Sequence, residues 1–125
     1  MPYTILVADD EPPLLRLMEF IIAREGHVMV GAANGEEALA KARETRPDLV
    51  LLDIMMPRID GYEVARRLRA DSEFAKIPII MLSAKAQEED IRKGKEVGVD
   101  EYITKPFEPD YLAAMIKKCL DRAMN

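Results

Sequence analysis

The sequence is short of the features that mark a secretory route, a membrane span or a nucleic-acid surface. It contains one cysteine, Cys119, in 125 residues, so no internal disulfide can form. The spacing of Cys119 from Leu112 and Ile116 puts all three on one side of a helix, a packing position. No apolar run is long. The first, Ile5 to Ala8, has no basic segment before it and is far too short for a signal peptide or a membrane span. A cytoplasmic protein without membrane contact is expected. Positive charge is not in surplus: 18 Lys and Arg face 23 Asp and Glu, a formal net charge of -5. Nucleic-acid binding wants a basic face, so direct contact with nucleic acid is not expected of these residues. The one histidine, His27, follows Gly26 in a loop and is expected to be exposed. No repeat, low-complexity tract or linker interrupts the chain, which reads as a single domain over residues 1–125.

What is present is an alternation of short apolar runs and amphipathic stretches. Strands are expected at Tyr3 to Ala8, Val28 to Ala33, Leu49 to Leu52, Ile77 to Leu82 and Tyr102 to Thr104. Helices are expected at Pro13 to Glu25, Glu36 to Glu44, Tyr62 to Ala70, Gln87 to Val97 and Pro109 to Arg122. In the first helix, Leu14, Leu17, Met18, Ile21 and Ile22 form the inward side. Asn34 is a candidate N-cap, and Gly26 and Gly98 are candidate helix stops. The runs Leu49 to Leu52 and Ile79 to Leu82 are apolar on every residue, as in strands covered on both faces. Five repetitions of strand then helix imply an α/β fold, a doubly wound five-stranded parallel sheet. Order 2-1-3-4-5 is one of the two common arrangements of such sheets and is the one expected here.

The chemistry collects at the strand ends. The first strand stops at Asp9-Asp10-Glu11, the third at Asp53, the fourth at Ser83 and the fifth at Lys105. In a parallel sheet these ends point the same way, and ligands bind beside the first strand. With strands one and three adjacent, Asp9, Asp10 and Asp53 converge. Each carboxylate pair at 4 Å costs about 4 kcal/mol at an effective dielectric near 20. A fold that tolerates this has a cation available. Oxygen donors without a nearby His or Cys suit Mg2+ better than Zn2+, and Lys105 adds a second positive charge. Two acids holding metal, metal and lysine holding phosphoryl oxygens, and a third acid attacking would form a phosphoryl-transfer site.

Asp9-Asp10-Glu11, the run from Asp53 through Pro57 to Asp60-Gly61, Ser83-Ala84, and Tyr102-Ile103-Thr104-Lys105-Pro106-Phe107 together resemble the receiver domains of two-component response regulators. The resemblance covers the whole chain. It implies a flavodoxin-like (βα)5 fold and a phosphorylation-dependent switch rather than a turnover enzyme. Asp53 would be the phosphoacceptor. Asp10, Asp53 and the backbone carbonyl of Met55 would bind Mg2+ directly, and Asp9 through water. Ser83 would bind a phosphoryl oxygen, Lys105 would pair with Asp53, and the Lys105–Pro106 bond would be cis. Ser83 and Tyr102 would form the aromatic switch. The phosphodonor would be a sensor histidine kinase or a phosphotransfer protein.

The fourth helix has few apolar anchors and a glycine, so the face of helix four, strand five and helix five is expected to carry the output to a partner or output domain. Met55 and Lys85 should flank the entrance to Asp53, and Met56 should fill core. Receivers joined to winged-helix domains carry Glu and Arg where this chain has Tyr111 and Met115. A monomer or a weak phosphorylation-dependent dimer is therefore expected, with Asp100, Glu101, Lys117 and Lys118 available for other contacts. Two rivals fit less well. A haloacid-dehalogenase-type phosphatase needs Asp-x-Asp after strand one, and a flavodoxin-like flavin binder would have its phosphate repelled by Asp9-Asp10-Glu11. A third, a pseudo-receiver serving as a fixed docking surface, would lack site residues that are all present here.

Overall fold

The computed structural model describes residues 2–84 and 87–124. Its elements are β1 (Thr4–Ala8), α1 (Pro12–Arg24), β2 (Val28–Ala32), α2 (Gly35–Thr45), β3 (Leu49–Asp53), α3 (Gly61–Ala70), β4 (Ile79–Ser83), α4 (Glu88–Val97), β5 (Glu101–Thr104) and α5 (Pro109–Met124). The strands form one parallel sheet in order β2-β1-β3-β4-β5, as expected. The fold is the flavodoxin-like α/β arrangement.

Side chains of a strand alternate between faces, and here each face has its own core. Leu6, Ala8, Val50, Leu52, Ile79 and Met81 face α2 and α3. Ile5, Val7, Leu49, Leu51, Ile80 and Leu82 face α1 and α5, whose Met18, Ile22, Ile116 and Cys119 close over them. The apolar residues of β3 and β4 are all inaccessible to solvent, which explains why their runs show no alternation. Each such side chain contributes about 1.5–3 kcal/mol by its burial.

Asn34 and Gly98 work as anticipated, and two further ends have local causes of the same kind. The Asn34 side chain accepts a hydrogen bond from Glu37 N at 2.8 Å, and Asp60 caps α3 by accepting from Glu63 N at 2.9 Å. Gly98 ends α4 at φ 93. Pro78 sits just before β4, where it interrupts no ladder. Asp53 and Ser83 are the last residues of their strands rather than the first residues after them.

Two expectations need correction. Leu17 is 42% exposed, while Leu15 packs with Leu14 against the core. At about 100° per residue, Leu17 lies about 100° from the middle of the buried stripe. His27 is half-buried: its Nδ1 accepts from Tyr3 N at 3.2 Å and its ring lies 5.4 Å from that of Tyr3. Lys85, expected beside the entrance to Asp53, lies outside the described residues.

Candidate functional site

Adjacent parallel strands bring their C-terminal ends to one edge, and the acids follow. Asp9 comes directly after β1 and is fully buried. Its backbone N–H donates to Ala32 O at 3.0 Å, its Oδ1 accepts from Glu11 N at 2.9 Å, and its Oδ2 accepts from Lys105 Nζ at 2.8 Å. Asp53 closes β3 on the neighbouring strand and is also buried. Asp10 and Glu11 are exposed at the rim. One carboxylate oxygen from each of Asp9, Asp10, Glu11 and Asp53 lies within 4.8 Å of the others.

Lys105 follows β5 and crosses the sheet end to reach this group. Its backbone N–H donates to Ser83 O at 2.8 Å. Its Nζ lies 3.4 Å from Asp53 Oδ2 and 3.7 Å from Glu11 Oε1. The Lys105–Pro106 peptide is cis, as expected. Gly61 holds Asp53 from the other side. Its N–H donates to Ile54 O at 2.9 Å, and a side chain at Gly61 would run into the backbone of Asp53.

Burial pushes the Asp53 carboxyl above the usual carboxylate range, and the charge of Asp9 pushes the same way. Lys105 and the Met55 N–H oppose this only in part. Burial alone would lower the Lys105 ammonium, but its hydrogen bond to Asp9 and the charges of Asp53 and Asp9 outweigh it, so it is held above the usual lysine range. The group is thus a partly compensated anion cluster. Its donors are all carboxylate oxygens, with no nitrogen or sulfur among them. That donor set fits a hard divalent cation such as Mg2+ and leaves room for water.

Other expected residues are nearby. Met55 is 60% exposed, and Met56 is buried in the core. A groove of about 530 Å³ runs from Asp10 and Met55 to Asp90 and Lys93 of α4. Ser83 is buried at the end of β4. Tyr102 is half-buried on β5, next to β4 in the sheet. Residues expected to offer outward contacts are engaged within the chain: Asp100 with Arg69, Glu101 with Lys118 and Arg122, and Lys117 with Asp121.

Tyr62 was legible only as the start of a helix. In the structure it is buried, its hydroxyl donates to Asp90 O at 3.0 Å, and Lys93 Nζ lies 4.6 Å from its ring centroid. A phenol at an apolar position of α3 was the available signal, because a buried hydroxyl needs a partner.

Residues 5–117 match the model of the family described as response regulator receiver domain. The chain is 44% identical over 119 residues to the alkaline phosphatase synthesis transcriptional regulatory protein PhoP of Bacillus subtilis, covering 95% of this chain and 49% of that protein. It is also 44% identical to the phosphate regulon transcriptional regulatory protein PhoB of Pseudomonas aeruginosa, covering 95% and 52%. The chain therefore spans about half the length of the curated relatives it matches. Among solved structures, chemotaxis protein CheY4 of Vibrio cholerae superposes with a TM-score of 0.91 at 30% identity, covering 95% of this chain and 99% of that one. The receiver domain of sensor histidine kinase PA1611 of Pseudomonas aeruginosa, solved with a magnesium ion in its active-site cleft, gives 0.89 at 28% identity, covering 97% and 99%.

Proposed function

This chain belongs to the response regulator receiver domain family, and from that premise we propose that Asp53 accepts a phosphoryl group from a phosphohistidine in a Mg2+-dependent reaction. The observation that carries the reading is Lys105 Nζ 3.4 Å from a buried Asp53 that shares a 4.8 Å cluster with three further carboxylates. A carboxylate oxygen of Asp53 attacks phosphorus, the P–N bond of the donor breaks, and the leaving imidazole takes a proton. Asp53 then carries an acyl phosphate.

Asp10, Asp53 and the Met55 carbonyl would hold Mg2+ directly and Asp9 through water; bound there, the ion supplies positive charge against the phosphoryl oxygens. Lys105 neutralises part of the same charge and keeps Asp9 and Asp53 in place. Ser83, buried beside Asp53, donates its hydroxyl hydrogen to a phosphoryl oxygen. Phosphorylation adds about -1.5 to -2 charges to the cluster.

The change leaves through α4, β5 and α5. α4 has one buried residue, Gly94, so little apolar contact holds it. The partners are a sensor histidine kinase or phosphotransfer protein upstream and a protein or output domain downstream. The chain works as a monomer or a weak phosphorylation-dependent dimer. The relatives are transcriptional regulatory proteins by name and about twice this length, so they lend no support to the expectation that nucleic acid plays no part. Among the described residues no helix is long and apolar enough to cross a membrane, and we assign the domain to the cytoplasm on family grounds.

Intact mass after acetyl phosphate and Mg2+ tests the reading. The expected result is a gain of one phosphoryl group, lost in EDTA and absent in Asp53→Asn. An equal gain in Asp53→Asn overturns it.

A further inference from the structure

α3 carries three arginines, and the fold uses them in two ways. Arg69 is spent internally. It donates to Gly98 O at 2.9 Å, to Phe74 O at 3.1 Å and to Ile77 O at 2.6 Å, and pairs with Asp100 Oδ2 at 3.0 Å, a clamp between α3 and the chain after α4. Arg66 and Arg67 stay on the surface, their side chains 63% and 50% exposed. They share one acid: Arg66 donates to both oxygens of Glu63, and Arg67 Nε donates to Glu63 Oε2 at 2.8 Å. One negative charge thus offsets two positive ones.

These arginines edge a groove of about 380 Å³ between α3 and α4. α4 turns Gly94 inward, where the Tyr102 ring would touch an added Cβ, and this leaves Lys93 and Val97 together on the groove side. Lys93 Nζ lies 4.6 Å from the Tyr62 ring centroid, and among the described residues no carboxylate pairs with it. Arg58, from the loop between β3 and α3, completes the rim. Its φ is 71, in a turn closed by the Ile59 N–H donating to Pro57 O at 2.9 Å. A residue with a side chain adopts this left-handed conformation at a cost that glycine would avoid, and such cost collects at functional positions. An exposed pair with Glu36 at 3.3 Å holds Arg58 only loosely. The floor of the groove is apolar: Ile59, Tyr62 and Val97 pack against the core beneath it. The lining therefore sets four cations against two acids, Asp60 and Glu63, and Asp60 is engaged as the N-cap of α3. That surplus stands in a chain of formal net charge -5.

We propose that this groove docks an acidic, amphipathic helix of a partner protein, with apolar residues on Ile59 and Val97 and carboxylates against Arg58, Arg66, Arg67 and Lys93. Among the described residues none from β5 or α5 lines it, so it is a second surface, apart from the output face assigned above, and it stands whether or not Asp53 is the phosphoacceptor. Helix-in-groove recognition needs apolar anchors as well as charge. The apolar floor therefore favours a protein over a nucleic acid, which is held mainly through its phosphates. A long polyanion would also meet the negative field of the whole chain, whereas a short acidic segment feels the local surplus. The adjoining groove toward Asp53 is lined by Asp10, Asp60, Glu89 and Asp90. Those acids keep the docked carboxylates along α3 and away from Asp53.

An NMR titration of the isotope-labelled protein tests the site. The probe is a helix-forming peptide of about four turns, with Leu at every third or fourth position and Glu beside them. The same peptide with Gln in place of Glu is the comparison. Saturable amide shifts are expected at Ile59, Tyr62, Arg66 and Val97 with the Glu peptide. Its affinity should exceed that of the Gln peptide by about fivefold or more and fall as salt is raised. Arg67→Glu and Lys93→Glu should each weaken binding by about fivefold or more, while Arg16→Glu, an exposed reversal on α1, leaves it unchanged. The proposal is overturned by equal affinity for the two peptides, by shifts centred outside the groove, by full binding in both groove variants, or by no saturable shift at about 1 mM peptide. Tighter binding of a single-stranded oligonucleotide at the same amides also overturns it and gives the groove to nucleic acid. Self-association that is lost in Arg67→Glu and not displaced by the peptide, read by sedimentation, overturns it in favour of a second copy of the chain.

Discussion

Replacing Asp53 by Asn tests the electrostatic basis of the site without any phosphodonor. At an effective dielectric near 20, two like charges at the 4.8 Å limit of the cluster repel by about 3.5 kcal/mol. Asp9 is fully buried and exerts that repulsion undiminished. Asp10 and Glu11 are exposed, and solvent reduces the share of each to about 1 kcal/mol. Lys105, 3.4 Å from Asp53, returns about 5 kcal/mol at the same dielectric. The charges nearly cancel, so the loss of hydration at Asp53 decides the sign. Burying a carboxylate costs several kcal/mol, here offset in part by the Met55 N–H. Asn keeps the shape and removes that cost. The variant is expected to be about 1–3 kcal/mol more stable than wild type in EDTA at pH 7, with a Tm higher by about 4 °C per kcal/mol. The pH dependence follows from the raised pKa of Asp53. The folded state holds the Asp53 proton more tightly than the unfolded chain does. The destabilisation is therefore absent below the unfolded value of 3.8, grows as pH rises through the folded value, and persists above it. Asn and wild type should converge at pH values below 3.8. Free Mg2+ at about ten times its Kd adds about 1.4 kcal/mol to wild type and less to the variant, which lacks a ligand, so the gap narrows. Urea unfolding at matched pH, with and without Mg2+, measures all three. A variant less stable than wild type in EDTA at pH 7 refutes the reasoning, as does a gap that does not shrink in acid.

Three further outcomes follow from particular contacts. Gly61→Ala forces a side chain into the backbone of Asp53; overpacking costs about 1–3 kcal/mol, and phosphoryl uptake by mass should fall with it, whereas full stability and full uptake would show that β3 can yield. Arg69→Met removes three bonds to carbonyls and one ion pair from a partly buried guanidinium, so urea unfolding should show a loss of about 2–4 kcal/mol; a loss below about 0.5 kcal/mol would mean that water replaces the clamp. Met55 is exposed beside Asp53 and has no group that can orient water. Met55→Asn should therefore shorten the phosphoryl lifetime, by about fivefold for one added hydrogen bond, and a longer lifetime by phosphate release would contradict this.

The sheet was legible because β1, β3 and β4 are apolar at nearly every residue, a pattern that parallel strands produce when both faces are covered. Strand order was not legible in the same way. Alternation of strand and helix fixes the parallel direction, but the 2-1-3-4-5 order came from the commonness of that arrangement. Leu17 and His27 were misjudged for local reasons: Leu17 sits outside a buried stripe centred near Met18, and His27 has a partner, Tyr3, that is 24 positions away in sequence.

The acid cluster could be read because it contradicts stability. Three carboxylates, Asp9, Asp10 and Asp53, and one distant lysine make no sense as caps once the strands are adjacent, and such conflict marks functional positions. Tyr62, Gly94 and Arg69 raise no conflict of that kind. A tyrosine opening a helix, a glycine inside a weakly anchored one and an arginine in a last turn are each locally ordinary. Their meaning lies in partners 28, 8 and 29 residues away that periodicity does not address. In this fold the acids of the candidate site betray themselves by mutual repulsion. Tyr62, Gly94 and Arg69 meet their partners through hydrogen bonds, close packing and one compensated ion pair, which add no repulsion for a sequence reading to notice.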